Sequence, residues 1–166
     1  MNFPFSRRLC HGFGFVAASG LIFFALYLQH GLGEEPCPLC ILQRVLMMGL
    51  GVIFLIAAIH DPAQGFFVRV YARLGGALAL LGAAIAARQI WLQHLPPDQV
   101  PSCGPGLNYI LKAHPFFNAL AIVLKGSGEC ASVGWTFAGL AISEWSLLWF
   151  IVLGLWISLQ PLNKRS

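Results

Sequence analysis

The sequence predicts an all-α membrane protein, a bundle of four transmembrane helices. Of its 166 residues, 58% are hydrophobic and only 10% are charged, and the mean hydropathy is +0.75. A soluble globule of this size needs more polar residues to cover its surface. The chain also holds four apolar runs near the roughly 20 residues that cross a bilayer. We expect one integral membrane domain, residues 1–166, with spans at about 12–30, 41–60, 70–92 and 143–161.

The first span begins after two arginines, Arg7 and Arg8, which also resemble the start of a secretory signal. No charged residue occurs between Leu9 and Gly33, so the apolar run is longer than a typical signal core. No small-residue cleavage site follows it before Glu34. We therefore expect a retained transmembrane helix.

Basic residues near the spans predict the orientation of the bundle, because Lys and Arg accumulate in short cytoplasmic connections. On this rule both termini are cytoplasmic, and the loops at about 31–40 and 93–142 lie on the opposite side. The pI near 9.0 then reflects membrane topology and does not indicate nucleic-acid binding. The basic residues on the cytoplasmic side are Arg7, Arg8, Arg69, Arg73, Lys164 and Arg165.

The second of these loops opens with a proline-rich turn cluster from Pro96 to Pro105, which excludes a helix interior. The apolar stretch from Pro115 to Leu124 is too short to cross the bilayer. We expect a short helix lying on the membrane surface, with Pro115 in its first turn.

Four of the five cysteines fall in the two loops opposite the basic side: Cys37, Cys40, Cys103 and Cys130. They could be structural disulfides, metal ligands or a redox relay. A disulfide across the two-residue gap of Cys37 and Cys40 closes too small a loop to stabilise the fold much. A zinc site would need a second close pair, which the chain lacks. The redox interpretation is favoured, and Cys10 is expected to be a small buried or lipid-facing thiol.

Cys40 is predicted in the first turn of the second span, where free N–H groups and the helix dipole favour a thiolate. Arg44 follows one helical turn later on the same face. A cation inside a membrane helix is costly and usually functional. We expect Arg44 either to reach lipid phosphates or to stabilise the Cys40 thiolate and polarise a carbonyl oxygen of a bound quinone.

These motifs, taken in chain order, resemble the disulfide bond formation protein B (DsbB) family over nearly the whole sequence. A lone CxxC would be weak evidence, whereas this ordered set within four spans is specific. The matching stretches are Pro36-Cys37-Pro38-Leu39-Cys40-Ile41-Leu42-Gln43-Arg44, Trp91-Leu92-Gln93, Pro101-Ser102-Cys103 and Ser127-Gly128-Glu129-Cys130-Ala131, followed by Trp135, Gly139-Leu140 and Trp145.

The resemblance implies a protein-dithiol:quinone oxidoreductase of the bacterial inner membrane that reoxidises the periplasmic thioredoxin-fold protein DsbA. It implies that the partner attacks Cys103 and that Cys130 is the mate of Cys103. Electrons would pass to Cys37 and Cys40, through a Cys37–Cys130 disulfide, and Cys40 would deliver them to ubiquinone or menaquinone. The loops that carry these cysteines would then be periplasmic.

Two positions differ from the best-studied member of that family. Gln43 stands where that member has a glutamate before the quinone-site arginine, which Arg44 matches. Gln89 stands where it has a histidine that helps to bind quinone. We therefore expect Arg44 and Gln89 at the quinone site, with Gln89 able to donate a hydrogen bond but unable to carry a proton.

Two other interpretations fit part of this pattern, and chain order decides against the first. Vitamin K epoxide reductase relatives use similar chemistry, but their loop cysteines precede the close pair, whereas Cys37 and Cys40 come first here. A non-enzymatic membrane protein with two structural disulfides would keep the same pattern. Its cysteines would be inert to partner thiols.

Overall fold

The computed structural model describes residues 7–61, 65–96, 98–102 and 107–160. Within these ranges, four helices are long and apolar enough to cross a membrane, which confirms the predicted fold class. Three short helices and a two-stranded hairpin lie between the third and fourth of them. The elements are α1 (Arg7–Gly31), α2 (Pro38–His60), α3 (Phe66–Gln93), α4 (Leu107–Ala113), α5 (Phe116–Lys125), α6 (Gly128–Ala131), β1 (Thr136–Phe137), β2 (Leu140–Ala141) and α7 (Ile142–Leu159).

The long helices pack unequally. α2 packs along α1 and α3, and α7 packs along α3, whereas α1 and α7 make few contacts with each other. The indole nitrogen of Trp156 on α7 donates to the carbonyl oxygen of Cys10 on α1, at 3.1 Å, near the end where α1 begins. α1 and α7 are therefore joined at the end of the bundle where α1 begins. Towards the opposite end of the bundle, these two helices are loosely packed against each other.

Small residues let α3 and α7 approach closely. Gly75, Ala79 and Gly82 are buried along one face of α3. A Cβ atom added at Gly82 would overlap the ring of Phe150, and one added at Gly75 would overlap Ile157. Because lipid tails are as apolar as the helices themselves, such close packing is a main source of helix association in membranes.

Large apolar side chains cover the outer surface of the bundle. Phe23 on α1 and Leu80 on α3 are each 72% exposed. In water such surfaces would be unfavourable, whereas in hydrocarbon they are solvated by lipid. This distribution fits a multi-pass membrane protein.

α5 begins directly after Pro115 and has one buried face. Ala119 and Val123 are buried, whereas Phe117 is 81% exposed. The carbonyl oxygen of Lys125, at the last turn, accepts a hydrogen bond from Arg88 of α3 at 3.0 Å. A helix thus forms where the sequence predicts one, and its position on the membrane surface remains a prediction.

The hairpin before α7 was not predicted. Thr136 pairs with Ala141 in an antiparallel register. The turn residues Ala138 and Gly139 both have positive φ, at 53° and 79°. Tight hairpins favour this conformation, but alanine rarely adopts it, so the turn has no clear sequence signal. At α7 itself, Glu144 accepts a hydrogen bond from the backbone N–H of Ala141 at 2.7 Å.

We expect Gly82→Leu to destabilise the bundle by about 1–3 kcal/mol, because the added side chain overpacks the α3–α7 interface. Gly20→Leu is the matched control, since a Cβ atom at Gly20 meets nothing within 4 Å. Thermal unfolding in detergent measures the difference. Equal melting temperatures for the two variants would contradict the close packing of α3 on α7.

Candidate redox site

Cys37 and Cys40 lie at the start of α2. Cys37 is the N-cap residue, and its sulfur accepts a hydrogen bond from the backbone N–H of Cys40 at 3.4 Å. Pro38 occupies the first turn, where no intrahelical N–H bond is lost. Both cysteines are free thiols, with their Sγ atoms 3.1 Å apart. The cap geometry therefore holds the two sulfurs together at one helix end.

Cys130 packs against this pair from the second loop. It lies in α6 and is 0% exposed. Its side chain belongs to an apolar cluster with Cys37, Leu39, Leu92 and Val123. Three of the four predicted redox cysteines thus lie at one end of the bundle.

The contact between Cys37 and Cys130 polarises both thiols. A hydrogen bond with Cys37 is the main cause that lowers the pKa of Cys130 to about 6, and backbone groups of Ser127 and Leu39 add to it against the effect of burial. The same contact raises the pKa of Cys37, as do its hydrogen bond to Cys40 and its burial. At neutral pH, Cys130 is the thiolate and Cys37 keeps its proton. A buried thiolate beside another sulfur is suited to thiol–disulfide exchange.

Two buried amides complete the wall around Cys40. Gln43 Nε2 donates to Gln89 Oε1 at 2.7 Å. Gln89 Nε2 then lies 3.2 Å from the sulfur of Cys40 and 3.6 Å from that of Cys37. Gln89, expected only at a quinone site, thus also contacts both sulfurs of the close pair.

Arg44 faces α1. Its guanidinium donates to Gln29 Oε1 at 2.5 Å and to the backbone oxygen of Ala25 at 3.0 Å. Neither bond involves Cys40, and the expected stabilisation of the Cys40 thiolate by Arg44 remains a prediction. Two bonds to α1 fix a group that has five N–H donors, and donors remain for a ligand.

A cavity of about 510 Å³ lies beside these residues. Cys40, Arg44 and Gln89 line it, together with Leu21 of α1 and Trp149 of α7. It occupies the part of the bundle where α1 and α7 are loosely packed. Its size and its mixture of apolar walls with a few polar groups are typical of small-molecule sites, which span about 300–1,000 Å³.

Aromatic residues around the hairpin border this cavity, and sequence reasoning did not assign them to the site. Trp135 contacts Phe24 of α1 edge to face, with ring centroids 5.5 Å apart, and stacks on Phe137 at 5.9 Å. Phe137 in turn contacts Trp145 of α7 at 6.0 Å. The hairpin therefore bridges α1 and α7 beside the cysteines. Among these aromatic residues, only the tryptophans are noticeable in the sequence, and their spacing fits anchors at the membrane–water interface equally well.

Cys103 lies outside the described residues, so its position relative to the other cysteines remains a prediction. Its neighbour Ser102 is described, and the backbone oxygen of Ser102 accepts a hydrogen bond from the N–H of Gly128 at 3.3 Å. This bond joins the residue before Cys103 to the helix that carries Cys130. Cys10 is buried near the opposite end of the bundle, apart from the site.

Comparison with known proteins identifies the family. Residues 7–160 match the family described as "Disulfide bond formation protein DsbB". The chain belongs to the DsbB family. This membership supports a disulfide-generating oxidoreductase of a bacterial membrane, with a thiol oxidant as partner.

Relatives match most of the chain. "Disulfide bond formation protein B" of Methylococcus capsulatus is 48% identical over 99% of both chains. The protein of the same name from Acinetobacter baumannii is 51% identical over 89% of this chain and 86% of its own length. That of Hahella chejuensis is 53% identical over 88% of each.

We expect the Cys130 thiolate of the reduced protein to disappear as the pH falls through about 6. The difference in ultraviolet thiolate absorbance between the parent and Cys130→Ser measures this titration. Cys37→Ala should move the midpoint upwards, because the main hydrogen bond to Cys130 is lost. A parent midpoint at the ordinary thiol value of about 8.5 would contradict the proposed polarisation.

Proposed function

We propose that this protein is a protein-dithiol:quinone oxidoreductase of the bacterial inner membrane. It reoxidises a periplasmic thioredoxin-fold protein of the DsbA type and passes the electrons through two cysteine pairs to membrane quinone. The observation that carries the proposal is the position of Cys40, which lines the cavity between α1 and α7 and whose sulfur lies 3.1 Å from that of Cys37. Sulfur chemistry and a small-molecule cavity therefore meet at one residue.

The residues around the cavity fit a quinone. A quinone head group needs hydrogen-bond donors for its carbonyl oxygens and apolar walls for its ring. Arg44 and Gln89 are the donors that would hold it, and Leu21 and Trp149 supply apolar surface. A bound ubiquinone or menaquinone would supply the acceptor of two electrons.

The loose packing of α1 against α7 supports access from the bilayer. An isoprenoid quinone is dissolved in hydrocarbon, so a site open between two helices can be reached without crossing water. Leu21 and Ile22 on α1 and Ser146 and Trp149 on α7 line the two sides of the cavity. α3 and α7 offer no such gap, because their small residues bring them together.

The relay is proposed as a sequence of thiol–disulfide exchanges. A partner thiolate attacks Cys103 in a Cys103–Cys130 disulfide and releases Cys130 as a thiolate; the partner's second thiolate then releases Cys103 and leaves the partner oxidised. Cys130 attacks Cys37 in the Cys37–Cys40 disulfide and releases Cys40; Cys103 then attacks Cys130 in the Cys37–Cys130 disulfide, which restores the Cys103–Cys130 disulfide and releases Cys37. The Cys37 and Cys40 pair then holds the two electrons. The low pKa of Cys130 and its contact with Cys37 support this order.

The distribution of charge supports the orientation. Arg7 and Arg8 begin α1, and Arg69 lies in the first turn of α3, at the end of the bundle opposite Cys37 and Cys40. With the basic end cytoplasmic, the cysteines face the periplasm, and the whole chain forms one membrane domain.

We expect the purified protein to reduce a ubiquinone analogue when reduced DsbA is supplied, which bleaches the quinone absorbance. Cys103→Ser should abolish exchange with DsbA, because the attacked sulfur is missing, yet should still bind quinone. Cys40→Ser should still exchange with DsbA but should reduce no quinone. If the parent protein binds DsbA but does not bleach the quinone, the proposed activity is contradicted.

Arg44→Ala should raise the quinone KM at least tenfold, since a hydrogen bond from a charged group is worth about 1.5–3 kcal/mol. The rate of exchange between DsbA and the loop cysteines should stay unchanged. Arg69→Ala, an exposed arginine at the basic end, is the matched control. Equal losses in KM and in exchange rate would indicate a folding defect and not a quinone contact.

A further inference from the structure

The buried amide pair formed by Gln43 and Gln89 has a place in the bundle that quinone binding alone does not explain. Both side chains are buried, at 5% and 4% exposure. Buried amides are costly unless their polar atoms are hydrogen-bonded. Here the partners are each other and two sulfur atoms.

The direction of the amide of Gln89 follows from Gln43. Gln43 Nε2 donates to Gln89 Oε1 at 2.7 Å, and this oxygen also lies 3.5 Å from Cys40 Sγ. The other end of the same planar amide, Nε2, carries only donors and faces Cys40 Sγ at 3.2 Å. A neutral Cys40 thiol can donate to Oε1, whereas a Cys40 thiolate is stabilised by the shorter contact with the donor Nε2.

Cys37 has a single thiol proton, and when it is not donated to Cys130 it can be donated to Cys40, whose sulfur lies 3.1 Å away. Two donors, Cys37 and Gln89, thus converge on a single sulfur. Reduction of a Cys37–Cys40 disulfide consumes two electrons and one proton, and leaves a thiol on Cys37 and a thiolate on Cys40. The arrangement of donors matches this product.

We propose that Gln89, oriented by Gln43, is a positioning residue that stabilises the reduced form of the Cys37–Cys40 pair by donating to the Cys40 thiolate. This inference rests on the proposed redox function. It makes the pair more oxidising, since stabilising the reduced state raises the tendency of the disulfide to accept electrons. The amide pair thereby favours electron flow from the loop cysteines towards the cavity.

The test is the thiol–disulfide equilibrium of this pair with glutathione, in the full-length protein with Cys10, Cys103 and Cys130 replaced by serine. Two glutathione thiols reduce the disulfide and become one glutathione disulfide; one of their protons stays on Cys37 and the other enters solvent. Neither quinone nor DsbA takes part. The result is therefore independent of whether the proposed enzyme activity is found.

Gln89→Leu should favour the disulfide about tenfold more than the parent, as expected for the loss of a hydrogen bond to a charged group. Gln89→Met keeps a side chain of similar length but has no hydrogen-bond donor, so it should shift the equilibrium in the same direction. Gln43→Leu should give a smaller shift of the same sign. Gln93→Leu, one helical turn along α3 and bonded to Ser143, is the matched control and should leave the equilibrium unchanged.

An equilibrium within twofold of the parent for Gln89→Leu would overturn the inference. Parent-like behaviour of Gln89→Met would do the same, because the length of the side chain and not hydrogen-bond donation would then be sufficient. A shift by Gln93→Leu as large as that of Gln89→Leu would likewise overturn it, because the effect would then not be specific to the amide that faces Cys40.

Discussion

The first turn of α2 is the constraint on which the site depends. Cys37 caps the helix and Cys40 lies one turn inside it, so their sulfurs are neighbours with different surroundings. Cys37 packs into the apolar cluster that contains Cys130. Cys40 contacts the amide of Gln89 and lines the cavity. The start of α2 therefore connects the Cys130 sulfur in the loop, through Cys37 and Cys40, with the cavity within the bundle.

The unequal packing of the helices explains where the cavity lies in the bundle. Glycines on α3 bring α7 close, and the bond from Trp156 to Cys10 joins α7 to α1 only near one end. Near the other end, space remains between α1 and α7, and the hairpin with Trp135 bridges it. Because α7 packs closely against α3, it leaves space between itself and α1 for the cavity.

Much of the site could be expected from local sequence, but its contacts could not. The start of the second apolar run predicts that Cys40 lies in the first turn of a helix, and the resemblance to a known family pointed to Arg44 and Gln89. The bond of Arg44 to Gln29 joins residues on different helices, so no local pattern predicts it. The bond between Gln43 and Gln89 is of the same kind.

The four spans and the position of Cys40 in the first turn of the second helix could be predicted from the sequence alone, because apolar length and helix starts are local properties of the chain. Tertiary structure decided that Cys130 meets Cys37, that Gln89 faces Cys40 and that the cavity opens between α1 and α7. It also decided the hairpin, where Ala138 adopts a backbone conformation that alanine disfavours. These features depend on which helix faces approach each other, and that is fixed only when side chains distant in the chain pack together.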